Sequence, residues 1–281
     1  MRPIVYLLSI CLLLASTHVW SACETGIPST VVYGNGINTS PEDAQRSLDR
    51  VLYPAILGSL PPDVDRSCLS PWLAYDSKFL NSDNQVVSFG NLLLQLVDAG
   101  VQRGIDLAAN FWGYWDLLVE PPTWFQETQQ AYIAAAASVF QPDLLKHEAF
   151  YNAELGLGHR LSAVTHSQGN LYVNQAYDVV TSLGGADRFN VVAVATPAPR
   201  VAGSGPHITL RGDVILAVPG SLPWNVQNDL PSPCPANVGG AGSIACHSFD
   251  TSYMAGNRTR PAIVEAVVRT LPKANRIVTV S

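Results

Sequence analysis

Residues 161–170, which read LSAVTHSQGN, decide how the fold of this chain is interpreted. The first five are apolar or small and include β-branched Val164 and Thr165, which favours a buried strand. A helical pattern begins at about Gln168 and continues to about Ser182. The stretch therefore predicts a strand, a sharp turn that carries Ser167, and a helix.

Short apolar runs alternate with longer helical patterns on both sides of this stretch. This alternation is typical of βαβ units, so the predicted fold class is α/β, a mostly parallel central sheet with helices on both faces. A helix is predicted to begin at Ser40-Pro41, with a capping serine and a proline in its first turn. The strands are predicted at residues 30–33, 72–75, 161–165, 190–195 and 207–210.

The chain is predicted to be a signal peptide followed by one domain. Residues 1–22 contain Arg2, an apolar run and a more polar end, which is the layout of a secretory signal. The run is too short to span a bilayer core of about 30 Å, and lipidation at Cys23 is the alternative. Residues 23–281 then form a single domain, exported to the periplasm or the extracellular space. Within it, about 89–156 are expected to be a helical insertion or lid-like region.

Four cysteines remain after the predicted signal peptide is removed. An even number in an exported chain favours disulfides, although free buried thiols stay open as an alternative. We expect Cys23 to pair with Cys68 and Cys234 with Cys246, because the second pair closes a short span rich in proline and glycine.

The composition argues against several classes of partner. The formal net charge is −6, which disfavours nucleic-acid binding. The sequence has no paired C-x-x-C or H-x-x-x-H spacing, so neither a zinc site nor any other metal site is expected. With 47% hydrophobic and 14% charged residues, it reads as a compact globular protein.

Ser167 is the candidate nucleophile, because a serine held between a strand and a helix N-terminus can be activated by a histidine. An ordinary helix-capping serine is the alternative. The stretch resembles the nucleophile turn of the α/β-hydrolase superfamily, and in particular secreted bacterial lipase or esterase-like members with an A-H-S-Q-G-N turn. One difference is Thr165, which occupies the position where the family usually has glycine.

The resemblance implies a chain order of nucleophile, acid and histidine, so both partners should follow Ser167. His207 and His247 are the two histidines that do. His247 is the implied general base, since it ends a long loop, whereas His207 begins a strand. Asp213 is the implied acid, at a turn beyond a strand, although it could also be only a turn residue. The competing carboxylates are Asp187, Asp229 and Asp250.

The resemblance also implies an oxyanion hole made of two backbone N–H groups, from Gln168 and Ile37. The Asn35-Gly36 turn would carry the second donor, and Gly169 would let strand and helix approach closely. A plain tight turn is the alternative for Asn35-Gly36. Dinucleotide binding is not expected, because the G-x-G lacks a third glycine.

His166 is predicted to be structural and to point away from the base, because neighbouring residues of a strand face opposite sides. The implied function is serine-dependent hydrolysis of carboxylic esters through an acyl-enzyme, without a cofactor. The expected partner is a small-molecule or lipid ester, with transient contact to a lipid surface left open, and no oligomeric state is predicted. An acyltransferase, a peptidase and a binding protein without catalysis are the alternatives.

Overall fold

The structure is a computed structural model that describes residues 23, 26–36, 39–77, 122–123, 141–213, 215, 221–228, 234 and 244–273. The predicted signal peptide at residues 1–22 lies outside these residues. So do Ile37, Asp229 and most of the predicted insertion.

Five strands form one sheet in which every pair is parallel. Their order across the sheet is β2-β1-β3-β4-β5. This confirms the predicted α/β class with a parallel sheet. The strands are β1 Ser29–Gly34, β2 Leu69–Ala74, β3 Arg160–His166, β4 Phe189–Val194 and β5 His207–Ile208.

The longer helices alternate with the strands. The first begins as predicted at Ser40, whose hydroxyl accepts the backbone N–H of Asp43 at 3.1 Å. The helices are α1 Pro41–Arg46, which continues through a π-helical stretch, Ser47–Leu52, into α2 Tyr53–Gly58, then α3 Gln141–Gly156, α4 Gly169–Thr181 and α5 Thr259–Val268. Shorter helical segments are Arg66–Cys68, Ala186–Arg188, Ala202–Ser204, Ile244–His247 and Phe249–Tyr253.

Two apolar cores cover the two faces of the sheet. Side chains alternate along β1, so Val31 and Tyr33 pack on one face and Val32 packs on the other. The first core contains residues of α1, α2 and α5, and the second contains residues of α3 and α4. Helices therefore cover both faces, as the sequence predicted.

Helix α3 is the described part of the predicted insertion, and it belongs to the layer that covers the sheet. Tyr151 on α3 is fully buried, and its ring lies 4.9 Å from that of Phe189 on β4. The segment is helical, as expected, but it follows β2 and leads into β3 as a crossover helix. Its sequence pattern merges with that of the preceding residues, so the sequence alone did not separate it from an insertion.

The strand order places a crevice at the carboxyl ends of β1 and β3. The chain winds outward from β1 to β2 in one direction and from β3 to β5 in the other. In open parallel sheets, ligands bind where the winding direction changes, beyond the carboxyl ends of the strands. Asn35 and Gly36 follow β1 at this point, and Ser167 follows β3.

Among the helices that the structure describes, none has the length and apolar character needed to cross a membrane.

Candidate active site

Ser167 lies at a sharp turn between β3 and α4. Its φ is +52°, in the left-handed region that residues other than glycine rarely adopt. Its N–H donates to the carbonyl of Val194, at the end of neighbouring β4, at 3.0 Å. The strand, the strained residue and the helix follow one another without a spacer, as the sequence predicted, and the turn holds the hydroxyl at the carboxyl edge of the sheet.

Close backbone packing around this turn requires two glycines. A Cβ at Gly169 would lie 2.9 Å from the backbone oxygens of both Gly34 and Asn35. A Cβ at Gly34 would lie 2.8 Å from Cγ2 of Thr165. The methyl group of Thr165 therefore fits because the neighbouring strand has no side chain at Gly34.

The side chain of Asn170 ties the turn together. Its Nδ2 donates to the carbonyls of Ser167 at 2.9 Å and Val194 at 3.0 Å, and its Oδ1 accepts the hydroxyl proton of Thr165 at 2.8 Å. Sequence reasoning assigned no role to Asn170. The sequence did offer one indication: Asn170 is a polar residue in the first turn of a helix, at a position that packs against the sheet and is buried.

The structure brings Ser167, His247 and Asp213 together. Nε2 of His247 lies 2.9 Å from Oγ of Ser167, and Nδ1 of His247 lies 2.8 Å from Oδ1 of Asp213. The carboxylate is fully buried, while the imidazole is 18% exposed. Because Oδ1 of Asp213 also accepts a backbone N–H, it acts as an acceptor here, so Nδ1 of His247 carries the proton and Nε2 is free to accept the serine proton.

Three further groups hold Asp213. Its Oδ1 also accepts the N–H of Ile215 at 2.8 Å, and its Oδ2 accepts the hydroxyl of Tyr253 at 2.5 Å. The N–H of Asp213 closes a turn to the carbonyl of Leu210 at 3.2 Å. Sequence reasoning did not identify Tyr253, which lies 40 residues from the aspartate along the chain.

Both predicted disulfides are present, Cys23–Cys68 and Cys234–Cys246. Two disulfides indicate that the chain matures in an oxidising environment. Cys234 and Cys246 are fully buried in the first core, and Cys246 directly precedes His247. The backbone that carries the imidazole is therefore cross-linked one residue away.

The N–H of Gln168 is the candidate oxyanion donor that the structure describes. The neighbouring N–H groups of Ser167, Gly169 and Asn170 donate to Val194, Asn35 and Ser167 respectively. No acceptor among the described residues takes the N–H of Gln168. Ile37, the second predicted donor, lies outside them.

The prediction that His166 points away from the base was wrong. Its ring centroid lies 4.8 Å from that of His247, and its Nε2 lies 2.8 Å from the backbone carbonyl of His247. Strand alternation fails here because β3 ends at His166 and the segment bearing His247 folds over that end. Burial, followed by the proximity of His247, lowers the pKa of His166 well below its usual range, so this ring stays neutral and donates its Nε2–H.

The ends of β1 and β2 are joined by the buried side chain of Asn35. It accepts the N–H of Asp76 at 2.8 Å and donates to the carbonyl of Asp76 at 3.1 Å. Gly36 lies against the nucleophile turn, since a Cβ there would be 2.7 Å from Nδ1 of His166 and 3.0 Å from Cβ of Ser167. The predicted Asn35-Gly36 turn is therefore fixed both to β2 and to the turn that carries Ser167.

A buried pair, Asp76 and His147, lies beside this junction. Oδ1 of Asp76 is 3.8 Å from Nδ1 of His147, and neither carboxylate oxygen has a hydrogen-bond donor among the described residues. Burial raises the pKa of Asp76 well above its usual range. Burial also lowers the pKa of His147 to about 4. Both shifts favour the neutral form of the group.

The competing candidates in the described part of the chain lie elsewhere. Nε2 of His207 contacts the carbonyl of Pro223 at 3.1 Å, and Asp187 is exposed before the start of β4. Asp250 is half-buried, three residues beyond His247, and burial raises its pKa. The described residues include no group of three or more His, Cys, Asp or Glu side chains that could hold a metal ion.

Comparison with known proteins assigns no family to this chain. No protein-family model, no curated protein and no solved structure matches it.

Proposed function

We propose that this chain is an α/β-hydrolase-type serine esterase, resembling secreted bacterial lipases, that cleaves carboxylic esters through an acyl-enzyme. One observation carries the proposal: the continuous set of contacts from Ser167 Oγ to His247 Nε2 and from His247 Nδ1 to Asp213 Oδ1. The positive φ of Ser167 supports it, because such strain at a turn is typical of a serine nucleophile.

The first half of the reaction follows from this geometry. Oγ of Ser167 attacks the ester carbonyl carbon while its proton passes to Nε2 of His247. The carbonyl oxygen becomes an oxyanion, and the N–H of Gln168 donates to it. When the tetrahedral intermediate collapses, the alkoxide leaves and takes the proton from Nε2, so that the alcohol is released and the acyl group stays on Ser167.

Water completes the cycle. His247 removes a proton from a water molecule, the hydroxide attacks the acyl carbon, and the bond to Oγ breaks as Oγ recovers the proton. Asp213 accepts the Nδ1–H of His247 in each half-reaction and stabilises the imidazolium that forms. Both half-reactions use these three side chains, the backbone N–H of Gln168 and water.

The resemblance to secreted lipases favours carboxylic esters as the substrate class. We place the mature protein in the periplasm or outside the cell, because the disulfides indicate an oxidising compartment.

Labelling with a fluorophosphonate probe tests the nucleophile. We expect the mature protein to be labelled and Ser167→Ala to be unlabelled, with kcat on a short-chain nitrophenyl ester lower by about 10⁴-fold or more. Ser162→Ala is the matched control, because Ser162 is a buried serine on β3, the strand that leads into the Ser167 turn. Its Oγ lies 2.8 Å from Oγ1 of Thr270, away from the candidate site. Retained labelling in Ser167→Ala would defeat the proposal.

Product analysis then separates hydrolysis from acyl transfer. With an alcohol added to the reaction, free carboxylic acid as the main product supports hydrolysis. If a new ester of the added alcohol predominates, the alcohol attacks the acyl-enzyme in preference to water, and the protein is an acyltransferase.

A further inference from the structure

The hydroxyl of Tyr253 is a buried group that the proposed reaction does not use, yet it contacts the triad. It lies 2.5 Å from Oδ2 of Asp213, and both side chains are fully buried. Oδ1 of the same carboxylate is occupied by His247 and by the N–H of Ile215. Among the described residues, Tyr253 is the donor on the second oxygen.

The direction of this hydrogen bond is fixed by a third residue. The N–H of Leu210 donates to the hydroxyl oxygen of Tyr253 at 3.1 Å. That oxygen therefore accepts from Leu210, and its own proton points to Asp213. Burial, followed by the charge of Asp213, raises the pKa of Tyr253 well above its usual range, so the phenol stays a donor.

The backbone geometry keeps Tyr253 in place. It ends the segment Phe249–Tyr253, which begins two residues after His247, and its carbonyl accepts the hydroxyl of Thr259 at 2.6 Å. The same short segment thus follows the base directly and supplies a donor to the acid. This arrangement couples the position of the imidazole to the position of the carboxylate.

We infer that Tyr253 is a positioning residue for the proposed reaction, which holds the Asp213 carboxylate by its second oxygen and takes up part of its charge. A carboxylate held at both oxygens presents Oδ1 to His247 in one orientation. Shared charge also limits how tightly the imidazolium proton is retained, which keeps His247 available as a base. The inference rests on the proposed function, because it concerns the same triad.

Few other ionisable groups face this network in the described residues. His166, from the end of β3, packs against His247 and is kept neutral by burial. Asp250, on the same segment as Tyr253, interacts with Ser47 and with the charges of Arg46 and Asp43 on α1. Among the described ionisable groups, Asp213 and His166 are therefore the ones that pack directly against His247.

The pH dependence of kcat/KM in Tyr253→Phe tests the inference. The ring is retained, so packing is preserved while one hydrogen bond to a buried carboxylate is lost. We expect kcat at the plateau to fall about 10-fold with KM unchanged, and the acidic limb of the kcat/KM profile to move to higher pH. The limb should move because the carboxylate, with its charge no longer shared, holds the imidazolium proton more tightly.

Tyr151→Phe is the matched control, since the buried hydroxyl of Tyr151 has no hydrogen-bond partner among the described residues. It should leave kcat and the pH profile unchanged. An acidic limb in Tyr253→Phe that stays in place or moves to lower pH would overturn the inference. If that variant does not fold, fluorotyrosine at position 253 keeps the hydroxyl and strengthens it as a donor, so the limb should then move to lower pH.

The two proposals fail in distinguishable ways. If the unmodified protein is not labelled by fluorophosphonate at Ser167, the proposed function fails. If it is labelled and turns over esters, but Tyr253→Phe behaves like Tyr151→Phe, the hydrolase stands and the role of Tyr253 does not.

Discussion

At the scale of single residues, Gly34 and Thr165 form a complementary pair across β1 and β3. They are paired in the register of the two strands, and the threonine methyl fills the space that a side chain at Gly34 would need. The hydroxyl of Thr165 meanwhile contacts Asn170, so the same residue also supports the nucleophile turn. The absence of a side chain at Gly34 therefore lets β1 and β3 pack closely although position 165 carries a threonine.

A double-mutant cycle tests this pair. Gly34→Ala should destabilise the fold by about 1–3 kcal/mol, because the new Cβ overlaps Cγ2 of Thr165. Thr165→Ser removes that methyl but keeps the hydroxyl, so the double variant should recover much of the loss. Urea unfolding of the four proteins gives the coupling energy, and strictly additive effects would contradict the explanation.

The sequence identified the groups that carry the proposed chemistry but missed those that hold them. A local turn predicted Ser167, and the implied chain order predicted Asp213. His247 was predicted because only two histidines follow the serine. Tyr253 and Asn170 depend on contacts that only the folded chain creates, and His166 was misread because strand alternation stops where the strand does. A local sequence pattern predicts which residues can be reactive, but it does not predict which distant residues contact them after folding.

At the scale of elements, the short helical segment Ile244–His247 carries the proposed base and is attached to the core by Cys234–Cys246. The other disulfide, Cys23–Cys68, attaches the residues before β1 to those before β2. The two cross-links span 12 and 45 residues. Chain entropy alone would give them stabilisations of about 3 and about 4 kcal/mol.

Removing the two disulfides one at a time should therefore affect stability and activity differently. Replacing Cys23 and Cys68 by alanine should lower the unfolding free energy at least as much as replacing Cys234 and Cys246. The second change should lower kcat/KM more, because it releases the backbone next to His247. Thermal unfolding and ester turnover on both variants check this, and equal losses of activity at matched stability would contradict it.

The sequence predicted the cysteine pairing and most elements to within a few residues, since both depend on local spacing. It placed α3 in an insertion, because a continuous helical pattern gives no sign of where a crossover helix begins. It also predicted a longer fifth strand than the two residues of β5. There the chain leaves the sheet, and Leu210 instead forms a single parallel bridge with Val226.

At the scale of the whole molecule, buried histidines and a buried aspartate change the stability of the fold with pH in opposite directions. His147 and His166 have lowered pKa values in the folded state, so an unfolded chain binds their protons more readily. The contribution of each to stability is complete above about pH 6.5 and is lost as the pH falls through its lowered pKa, which is about 4 for His147. Asp76, with a raised pKa, works in the opposite direction and costs stability as the pH rises above about 4.

Two variants should change this pH dependence in opposite directions. Between pH 4 and 6.5, stability should rise with pH less steeply in His147→Gln and more steeply in Asp76→Asn. Each group can change the slope by at most about 1.4 kcal/mol per pH unit. Urea unfolding followed by tryptophan fluorescence across this range measures the slopes, and changes of the same sign would contradict the assignment.

The order of strands in the sheet could not be read from the sequence, because it depends on which faces meet after folding. The α/β class, in contrast, followed from the alternation of patterns alone. The observed order explains why β1 and β3, distant along the chain, end beside one another at the crevice.

The positive φ of Ser167 lowers the stability of the fold, while the side chain at the same position supplies the hydroxyl for the proposed reaction. A glycine would relax the backbone there by about 1 kcal/mol or more, at the cost of the hydroxyl. Selection or engineering for heat resistance alone would therefore drift towards an inert protein at this position. Under the proposed function, selection for turnover keeps serine at this strained position.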